Sequence, residues 1–274
     1  MTITDAKAHE GPAARHWRRA LGEWAIPEEI LAAAPEPPWS FSPTMFARIA
    51  EQALAEERPT PARRAAEEAL PAGGTVMDVG VGGGAASLPL AGRAGLLVGV
   101  DQGADMLEVF ARAAEQAGVA HREVQGPWPE AAALVDTADV VVCHNVLYNV
   151  ADLVPFASAL TDKARHRVVV QVSEDHPTAN LNPFWRALHG LERPTSPTGD
   201  DALAVLVEMG LDVESEWFER PWSTPGMDRA DRIEAVRRRL CVGPDRDAEI
   251  DALLGPELEA TVRRSLAVWW PGRG

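Results

Sequence analysis

The residues best placed to do chemistry form a glycine-rich turn directly after a short apolar run. The run Val76–Val79 leads into four glycines between positions 80 and 84. Glycine is needed where a turn is tight or where the backbone must approach a ligand closely, and a helix starting there would supply unpaired N–H groups. Because Gly80, Gly82 and Ala85 also fit the dinucleotide-binding pattern, the turn predicts a nucleotide site without identifying the nucleotide. A tight turn without a ligand is the alternative.

Two aspartates accompany this turn. Asp101 ends the next apolar run, LLVGVD, where a carboxylate can accept hydrogen bonds from the ribose hydroxyl groups of an adenosine. Asp78 lies just before the glycines, at a position where NAD-binding domains seldom carry a carboxylate. The pair favours an adenosine ligand other than NAD, with an ordinary strand-end aspartate as the alternative for Asp101.

A parallel sheet is expected to position these residues, because short apolar runs alternate with helical segments from residue 74 onward. Continuous apolar runs predict strands buried on both faces at 75–80, 96–101, 139–144 and 167–173, with a weaker strand at 120–125. The remaining predictions are helices at 84–93, 103–117, 152–164 and 200–209, a strand at 212–219, helices between 228 and 259, and a last strand at 265–270. The fold class is therefore a doubly wound α/β sheet.

The turn and its aspartates resemble the cofactor motifs of the class I S-adenosylmethionine-dependent methyltransferases. The matching positions are Asp78, Gly80, Gly82, Gly84 and Asp101. The resemblance is clear over about 74–172 and looser to the last strand. It implies a Rossmann-like sheet of seven strands with the last one antiparallel. It also implies S-adenosyl-L-methionine across the carboxyl ends of the first, second and fourth strands, and S-adenosyl-L-homocysteine as product. The implied cofactor contacts are Asp78, Gly80, Gly82, Gly84, Asp101, Gln102, Met106, Trp128 and His144.

One segment departs from the family pattern. Many members carry an aspartate or asparagine after the third strand that binds the adenine amino group, but this chain reads Gly126-Pro127-Trp128 there. Backbone donors could hold the adenine beneath Trp128 as an aromatic lid. An ordinary core role for Trp128 is the alternative.

Polar residues after the fourth and fifth predicted strands should face the ligand crevice. His144 and His176 are candidate general bases for a hydroxyl or protonated amine acceptor, with a structural role as the alternative for each. The other candidate acceptor contacts are Trp39, Phe41, Asn145, Tyr148, Asn182, Trp185 and His189. The spacing of the histidines matches no compact metal motif, so no metal is expected.

The predicted domain division separates helices from sheet. Residues 1–70 are expected to form a helical cap that closes as a lid over the crevice, with plain packing as the alternative. Residues 71–274 are expected to form the methyltransferase core, with a helical insert at about 228–259.

Composition narrows the classes of partner. The net charge is −15, with 41 acidic residues against 26 lysines and arginines, which argues against a nucleic-acid partner and favours a small-molecule acceptor. Two cysteines, no apolar stretch long enough for a membrane span and no basic-apolar leader predict a cytoplasmic protein without a membrane partner. The arginine-rich, alanine-rich composition indicates a GC-rich bacterial genome. The sequence as a whole resembles the small-molecule methyltransferases of actinobacteria, which implies a role in biosynthesis.

Three other functions stay open from the sequence. They are an NAD(P)-dependent oxidoreductase, an S-adenosylmethionine-using enzyme with non-methyl chemistry such as a cyclisation, and a non-enzymatic binding protein that keeps the fold. The acceptor, the atom methylated (oxygen, nitrogen or carbon) and the oligomeric state are not encoded in these motifs.

Overall fold

One seven-stranded sheet organises the chain in the computed structural model, which describes residues 11–39, 43–222, 228–255 and 261–274. The strands are β1 Gly74–Val79, β2 Ala94–Asp101, β3 Ala120–Gln125, β4 Ala138–His144, β5 Ala164–Ser173, β6 Glu214–Trp222 and β7 Thr261–Pro271. Their order is β3-β2-β1-β4-β5-β7-β6, with β1 to β5 parallel and β7 antiparallel to both β5 and β6. The predicted fold class, with its antiparallel last strand, is confirmed.

Ten α-helices are assigned within the described ranges. They are α1 Pro12–Gly22, α2 Glu28–Ala33, α3 Pro43–Ala55, α4 Pro61–Ala69, α5 Ala104–Gln116, α6 Leu153–Lys163, α7 Asn182–His189, α8 Gly199–Glu208, α9 Arg229–Arg239 and α10 Asp247–Leu254. None of these helices has the length and apolarity needed to cross a lipid bilayer.

The sheet is covered on both faces, because its strands are apolar on both sides. Helices α1, α6 and α8 pack on one face around Trp17, Phe156 and Leu206. Helices α3, α4 and α5 pack on the other face around Ala50, Leu70 and Phe110. We refer to these faces by their helices, as the α6 face and the α4 face.

A third apolar cluster lies apart from the two sheet faces. It joins residues of α2, of α7 and of α9 and α10, which are far apart in the sequence. Its most buried members are Leu240, Ile250 and Trp185. We call it the accessory cluster.

The predicted helix at 84–93 is wrong. This stretch forms turns and a short 3₁₀ helix at Leu88–Leu90. Pro89 lacks a backbone N–H and Gly92 is a poor helix former, so ten residues cannot sustain a regular helix here. Helix α3 packs against Leu88–Leu90 and α5, so an earlier part of the chain covers the sheet at this point.

The four helices before residue 70 take different positions. Helix α1 packs against α8 and α6, and α4 lies across β5 and β7. Helix α2 contributes Ile30 to the accessory cluster, whereas α3 lies beside the glycine turn. The division into a cap at 1–70 and a core at 71–274 stays a prediction.

Candidate functional site

The glycine turn is built into the carboxyl end of β1. The N–H groups of Gly80 and Val81 both donate to the carbonyl oxygen of Val100 in β2, at 2.8 and 3.1 Å. Gly80, Gly82 and Gly84 all have positive φ, at 73°, 50° and 86°, which glycine adopts at little cost. The turn therefore binds the ends of the two strands together and presents its backbone at the crevice.

Asp101 lies directly beside this turn. Its Oδ2 accepts the N–H of Gly82 at 2.9 Å, and its Oδ1 accepts the N–H of Gly103 at 2.9 Å. The side chain is half-buried. Two backbone donors thus fix the orientation of the carboxylate, while each oxygen keeps a further lone pair for another donor.

Asp78 is enclosed below the turn. Only 1% of it is exposed, and its Oδ2 accepts a hydrogen bond from the buried Ser87 hydroxyl at 2.7 Å. Burial, with the charge of Asp101 adding to it, raises the pKa of Asp78 to about 7. The carboxyl therefore organises the inside of the turn from a position with almost no solvent contact.

Two apolar residues, Val146 and Phe46, lie in close contact with the turn. A Cβ on Gly80 would lie 2.4 Å from Cγ2 of Val146, and one on Gly83 would lie 2.4 Å from the backbone oxygen of Phe46. The glycines are therefore needed for the close approach of the loop after β4 and of α3. Sequence reasoning missed Phe46 and Val146, because nothing in the sequence shows that α3 returns to this turn.

His144 ends β4 on the α4 face, because it alternates with Val140 and Val142 of that core. Its Nε2 is buried and has no hydrogen-bond partner among the described residues. Burial, with a smaller effect of the positive charge of Arg220, lowers the pKa of His144 to about 3. A neutral imidazole with an unused ring nitrogen therefore stands at the crevice.

Asn145 makes the turn after His144. It has φ 58° and is exposed, and its N–H donates to the carbonyl oxygen of Gln171 in β5 at 2.7 Å. Asparagine tolerates this left-handed conformation better than most residues. The turn directs Val146 back toward Gly80.

His176 and Tyr148 do not join His144. The His176 ring stacks on Trp24 with ring centroids 3.9 Å apart, and its Nδ1 lies 2.9 Å from the Thr178 hydroxyl. Burial, together with Arg193, lowers the pKa of His176 to about 4. Tyr148 belongs to the core of the α6 face, where its hydroxyl donates to the carbonyl oxygen of Ser173 at 2.9 Å and burial raises its pKa. These contacts are those of packed structural residues.

The three residues predicted to lie near the adenine differ in exposure and in their packing. Trp128 donates its indole N–H to the carbonyl oxygen of Phe156 at 3.2 Å and packs against the core of the α6 face. Met106 is buried at the start of α5, 8% exposed. Gln102 is exposed and its carbonyl oxygen accepts from the Gln125 side chain.

The predicted acceptor residues on α7 lie in or beside the accessory cluster. Trp185 is 4% exposed and stacks on His189, whose Nε2 lies 2.7 Å from the carbonyl oxygen of Leu240. Asn182 donates to the carbonyl oxygen of Pro194, while its Oδ1 is buried without a partner in the described chain. Packing accounts for Trp185 and His189.

The predicted lid aromatics are only partly described. Trp39 is 51% exposed, with the Arg239 guanidinium 5.8 Å from its ring centre. Phe41 lies outside the described residues.

Two arginines that sequence reasoning missed lie on the far side of the crevice. Arg220 of β6 and Arg263 of β7 are directly paired across the two strands. Strand alternation places both on the α4 face, two residues from Phe218 and four from Ala267 of that core. The sequence signal was an arginine near the outer end of each of the last two strands. Across the described ranges, no group of three or more His, Cys, Asp or Glu residues could hold a metal ion.

Comparisons with known proteins match this architecture. A family described as "Methyltransferase domain" matches residues 76–166, about a third of the chain, from β1 into β5. No curated protein sequence matches.

Solved structures share the fold at low sequence identity. A protein of Bacillus halodurans described as a methyltransferase has a TM-score of 0.53 at 16% identity, covering 78% of this chain and 97% of its own. The YcgJ protein of Bacillus subtilis has 0.51 at 17%, covering 82% and 99%. A cyclopropane-fatty-acyl-phospholipid synthase-like protein of Lactobacillus casei has 0.51 at 16%, covering 89% and 98%.

The strand order also distinguishes this sheet from that of the dinucleotide-binding fold. The dinucleotide-binding fold has the order 3-2-1-4-5-6, whereas here an antiparallel strand is inserted between β5 and β6. Residues 76–166 thus match a methyltransferase domain, and the described chain has a Rossmann-like fold that it shares with solved structures described as methyltransferases.

Proposed function

We propose that this protein transfers a methyl group from S-adenosyl-L-methionine to a small-molecule acceptor at an oxygen, nitrogen or carbon atom. The observation that carries the proposal is the Asp101 carboxylate, held at the end of β2 by the N–H groups of Gly82 and Gly103. Each of its oxygens can accept one more hydrogen bond, which matches the two adjacent hydroxyl groups of an adenosine ribose.

The glycine turn fits this cofactor better than a dinucleotide. A pyrophosphate group binds at the N-terminus of a helix that follows the turn. Here the turn leads into further turns and the 3₁₀ helix Leu88–Leu90, and both Asp78 and Asp101 adjoin it. S-adenosyl-L-methionine has no phosphate and carries a sulfonium and an ammonium group, so nearby carboxylates favour it.

The cofactor contacts proposed here follow the sequence motif. The residues are Asp78, Gly80, Gly82, Gly84, Asp101, Gln102, Met106, Trp128 and His144. Asp78 would act from inside the turn through its bond to Ser87, and the glycines through their backbone.

The residues of this chain have to orient and desolvate the reactants, because the bound cofactor supplies an activated methyl group on sulfur. His144 at the end of β4 offers a buried Nε2 without a partner, which can accept a hydrogen bond from an acceptor hydroxyl or amine. Because the pKa of His144 is about 3, the ring is neutral at physiological pH. It can therefore accept a hydrogen bond that orients the acceptor. A base with so low a pKa takes the acceptor's proton only where the bound reactants raise that pKa toward the working pH.

Helix α3 is proposed to exclude water from the site. It touches the glycine turn through Phe46 and packs on α5, so it lies beside the position that the cofactor motif implies. This keeps the predicted lid role for one of the four N-terminal helices, together with Trp39 and Phe41. Trp39→Ala should weaken acceptor binding if this aromatic covers the crevice. Deletion of residues 1–42 is a poorer test, because it also removes Trp17 from the core of the α6 face.

The test is calorimetric titration of the purified protein with S-adenosyl-L-methionine, S-adenosyl-L-homocysteine and NADH. We expect both sulfur compounds to bind and NADH not to bind. Asp101→Ala should weaken S-adenosyl-L-homocysteine binding by about 100-fold, since charge-assisted hydrogen bonds contribute roughly 1.5–3 kcal/mol each. Asp105→Ala, which removes an exposed carboxylate from the same segment, is the matched control. Binding of NADH alone would overturn the proposal.

Product analysis then separates methyl transfer from other uses of the cofactor. Acceptors are screened with S-adenosyl-L-methionine labelled in its methyl group. Label recovered as an intact methyl on the acceptor supports the proposal, whereas label recovered in a ring would favour a cyclisation.

A further inference from the structure

Arg220 and Arg263 form a pair of like charges at one end of the crevice. They occupy paired positions on β6 and β7, so their side chains leave the sheet on the same face. Both are half-buried. Burial lowers the pKa of each guanidinium, and the charge of Arg220 lowers that of Arg263 further. Like charges directly opposite each other destabilise a sheet, and an anion bound between them would offset that cost.

A row of polar side chains connects this pair with His144. Gln171 of β5 pairs with His144 on one side and with Ala267 of β7 on the other, and it is only 2% exposed. Ser265, 3% exposed, lies between Ala267 and Arg263 on the same face. The charge of Arg220 acts on His144. The arginine pair and the unpartnered His144 Nε2 therefore share one polar site.

This site lies away from the glycine turn. In the strand order, β7 and β6 are the third and fourth strands from β1, which corresponds to about 14 and 19 Å at the usual spacing of roughly 4.8 Å between strands. A cofactor across β1, β2 and β4 reaches His144 but leaves the edge of β7 and β6 to the second substrate.

We propose that Arg220 and Arg263 bind an oxyanion group of the methyl acceptor, a carboxylate or a phosphate, and so direct its reacting atom toward His144. The inference deepens the proposed function and rests on it. A guanidinium binds either oxyanion through two parallel hydrogen bonds. Both arginines also interact with other parts of the chain, and five N–H donors allow each to hold a protein partner and an oxyanion together.

Glu56, after α3, acts electrostatically on Arg220, so the pair is not isolated from acidic groups.

Position excludes the cofactor as the source of the oxyanion group. The carboxylate of a cofactor placed over β1 would lie beside the glycine turn, several strands away. Variants of the arginine pair should accordingly leave cofactor affinity unchanged.

The test uses small oxyanions, so that the shape of the unidentified acceptor does not matter. Protein saturated with S-adenosyl-L-homocysteine is titrated with acetate, inorganic phosphate and neutral acetamide at constant ionic strength. We expect one or both anions to bind and acetamide not to bind. The tighter of the two anions identifies the acceptor group as carboxylate or phosphate.

Three variants locate the binding. Arg263→Gln should weaken anion binding at least tenfold, and Arg220→Lys, which keeps the charge but loses the paired hydrogen bonds, should weaken it less. Arg64→Gln is the matched control, because Arg64 forms an exposed ion pair with Glu216 on the same strand as Arg220. Phosphate also stabilises proteins by exclusion from their surface. The effect assigned to the arginine pair is therefore the difference in anion affinity between the wild type and each variant.

The outcomes separate the two proposals. Equal anion binding by wild type and Arg263→Gln, or no anion binding by wild type, overturns the oxyanion site. Absence of S-adenosyl-L-homocysteine binding by the wild type contradicts the proposed function instead. A folded Arg263→Gln variant that binds S-adenosyl-L-homocysteine normally and loses the anion supports both.

Discussion

The two ends of the crevice differ in charge and in packing. At the end formed by β1 and β2, Asp78 and Asp101 flank a turn that α3 approaches within contact distance. At the end formed by β7 and β6, Arg220 and Arg263 face each other across the strands. The acidic end suits a ligand with positive groups, and the basic end suits an oxyanion. Under the two proposals above, the sheet would hold the cofactor at one end and the acceptor's oxyanion at the other, with His144 between them.

The largest expected effect comes from replacing His144, which lies between the two ends of the crevice. His144→Ala should lower turnover of an acceptor found by screening by about 100-fold, the lower end of general acid–base contributions. Affinity for S-adenosyl-L-homocysteine should fall by a much smaller factor than turnover, since His144 is only one of several proposed cofactor contacts, whereas its Nε2 is offered to the acceptor. Steady-state kinetics and calorimetry on the same samples measure both quantities.

His176→Ala is the comparison for that variant. Because His176 stacks on Trp24 away from His144, its loss should lower the thermal midpoint and leave turnover largely intact. Unchanged turnover in His144→Ala would remove the boundary role.

The acidic end predicts a dependence of stability on pH. The pKa of Asp78 in the folded protein, about 7, lies above the reference value of 3.8. The stability that its neutral form contributes is complete below the lower value and is lost as the pH rises through 7. Asp78→Asn removes this titration, so the variant should gain about 2 kcal/mol relative to wild type between about pH 5.5 and about pH 8.5.

Urea unfolding of both proteins at the two pH values measures this gain. A difference in unfolding free energy that does not change with pH would contradict the raised pKa, because it would show that Asp78 is ionised throughout this pH range.

Close packing at the acidic end can be tested with two glycines. Gly83→Ala would bring a Cβ within 2.4 Å of the Phe46 backbone oxygen, so the variant should lose about 1–2 kcal/mol as α3 is displaced. Gly92→Ala meets nothing within 4 Å and should change stability by less than about 1 kcal/mol. Equal unfolding free energies for the two variants would show that α3 is not held against the turn.

The smallest expected effect concerns Arg193, which lies against Trp185 of the accessory cluster. Arg193 lies over Trp24 and Trp185, 5.7 and 4.9 Å from their ring centres, and donates to the carbonyl oxygen of Ala25 at 3.0 Å. Arg193→Ala should lower the unfolding free energy by about 1 kcal/mol through lost cation–π contacts and hydrogen bonds. Arg186→Ala, which breaks an exposed pair with Glu192, should cost less than about 0.5 kcal/mol, and denaturant unfolding compares them. Equal losses of unfolding free energy in the two variants would show that Arg193 stabilises the protein no more than an exposed ion pair does.

The sheet was predictable because its signals are local. Buried parallel strands read as continuous apolar runs, and all seven predicted strands are present with small shifts at their ends. The missing helix after the turn was not predictable from periodicity, because GAASLPLAG has helix-forming alanines and leucines around Pro89. Only the tertiary position of α3 shows what replaces that helix.

The candidate site divides in the same way. Asp78 and Asp101 could be predicted to lie beside the glycine turn, as the structure has them, because each is within a few residues of a recognisable strand end. Tyr148 and Trp185 were placed in the crevice because their segments follow strand ends, yet both rings are buried in cores. Arg220 and Arg263 escaped notice because their pairing joins two strands that lie far apart in the sequence.

The accessory cluster determines which parts of this protein can be exchanged. It is assembled from α2, α7 and the pair α9–α10, which lie at three separate points of the chain. A graft of the segment after β5 from another enzyme would therefore meet foreign partners on two sides. The smallest unit that can be transplanted to alter the accessory cluster is therefore all three segments together.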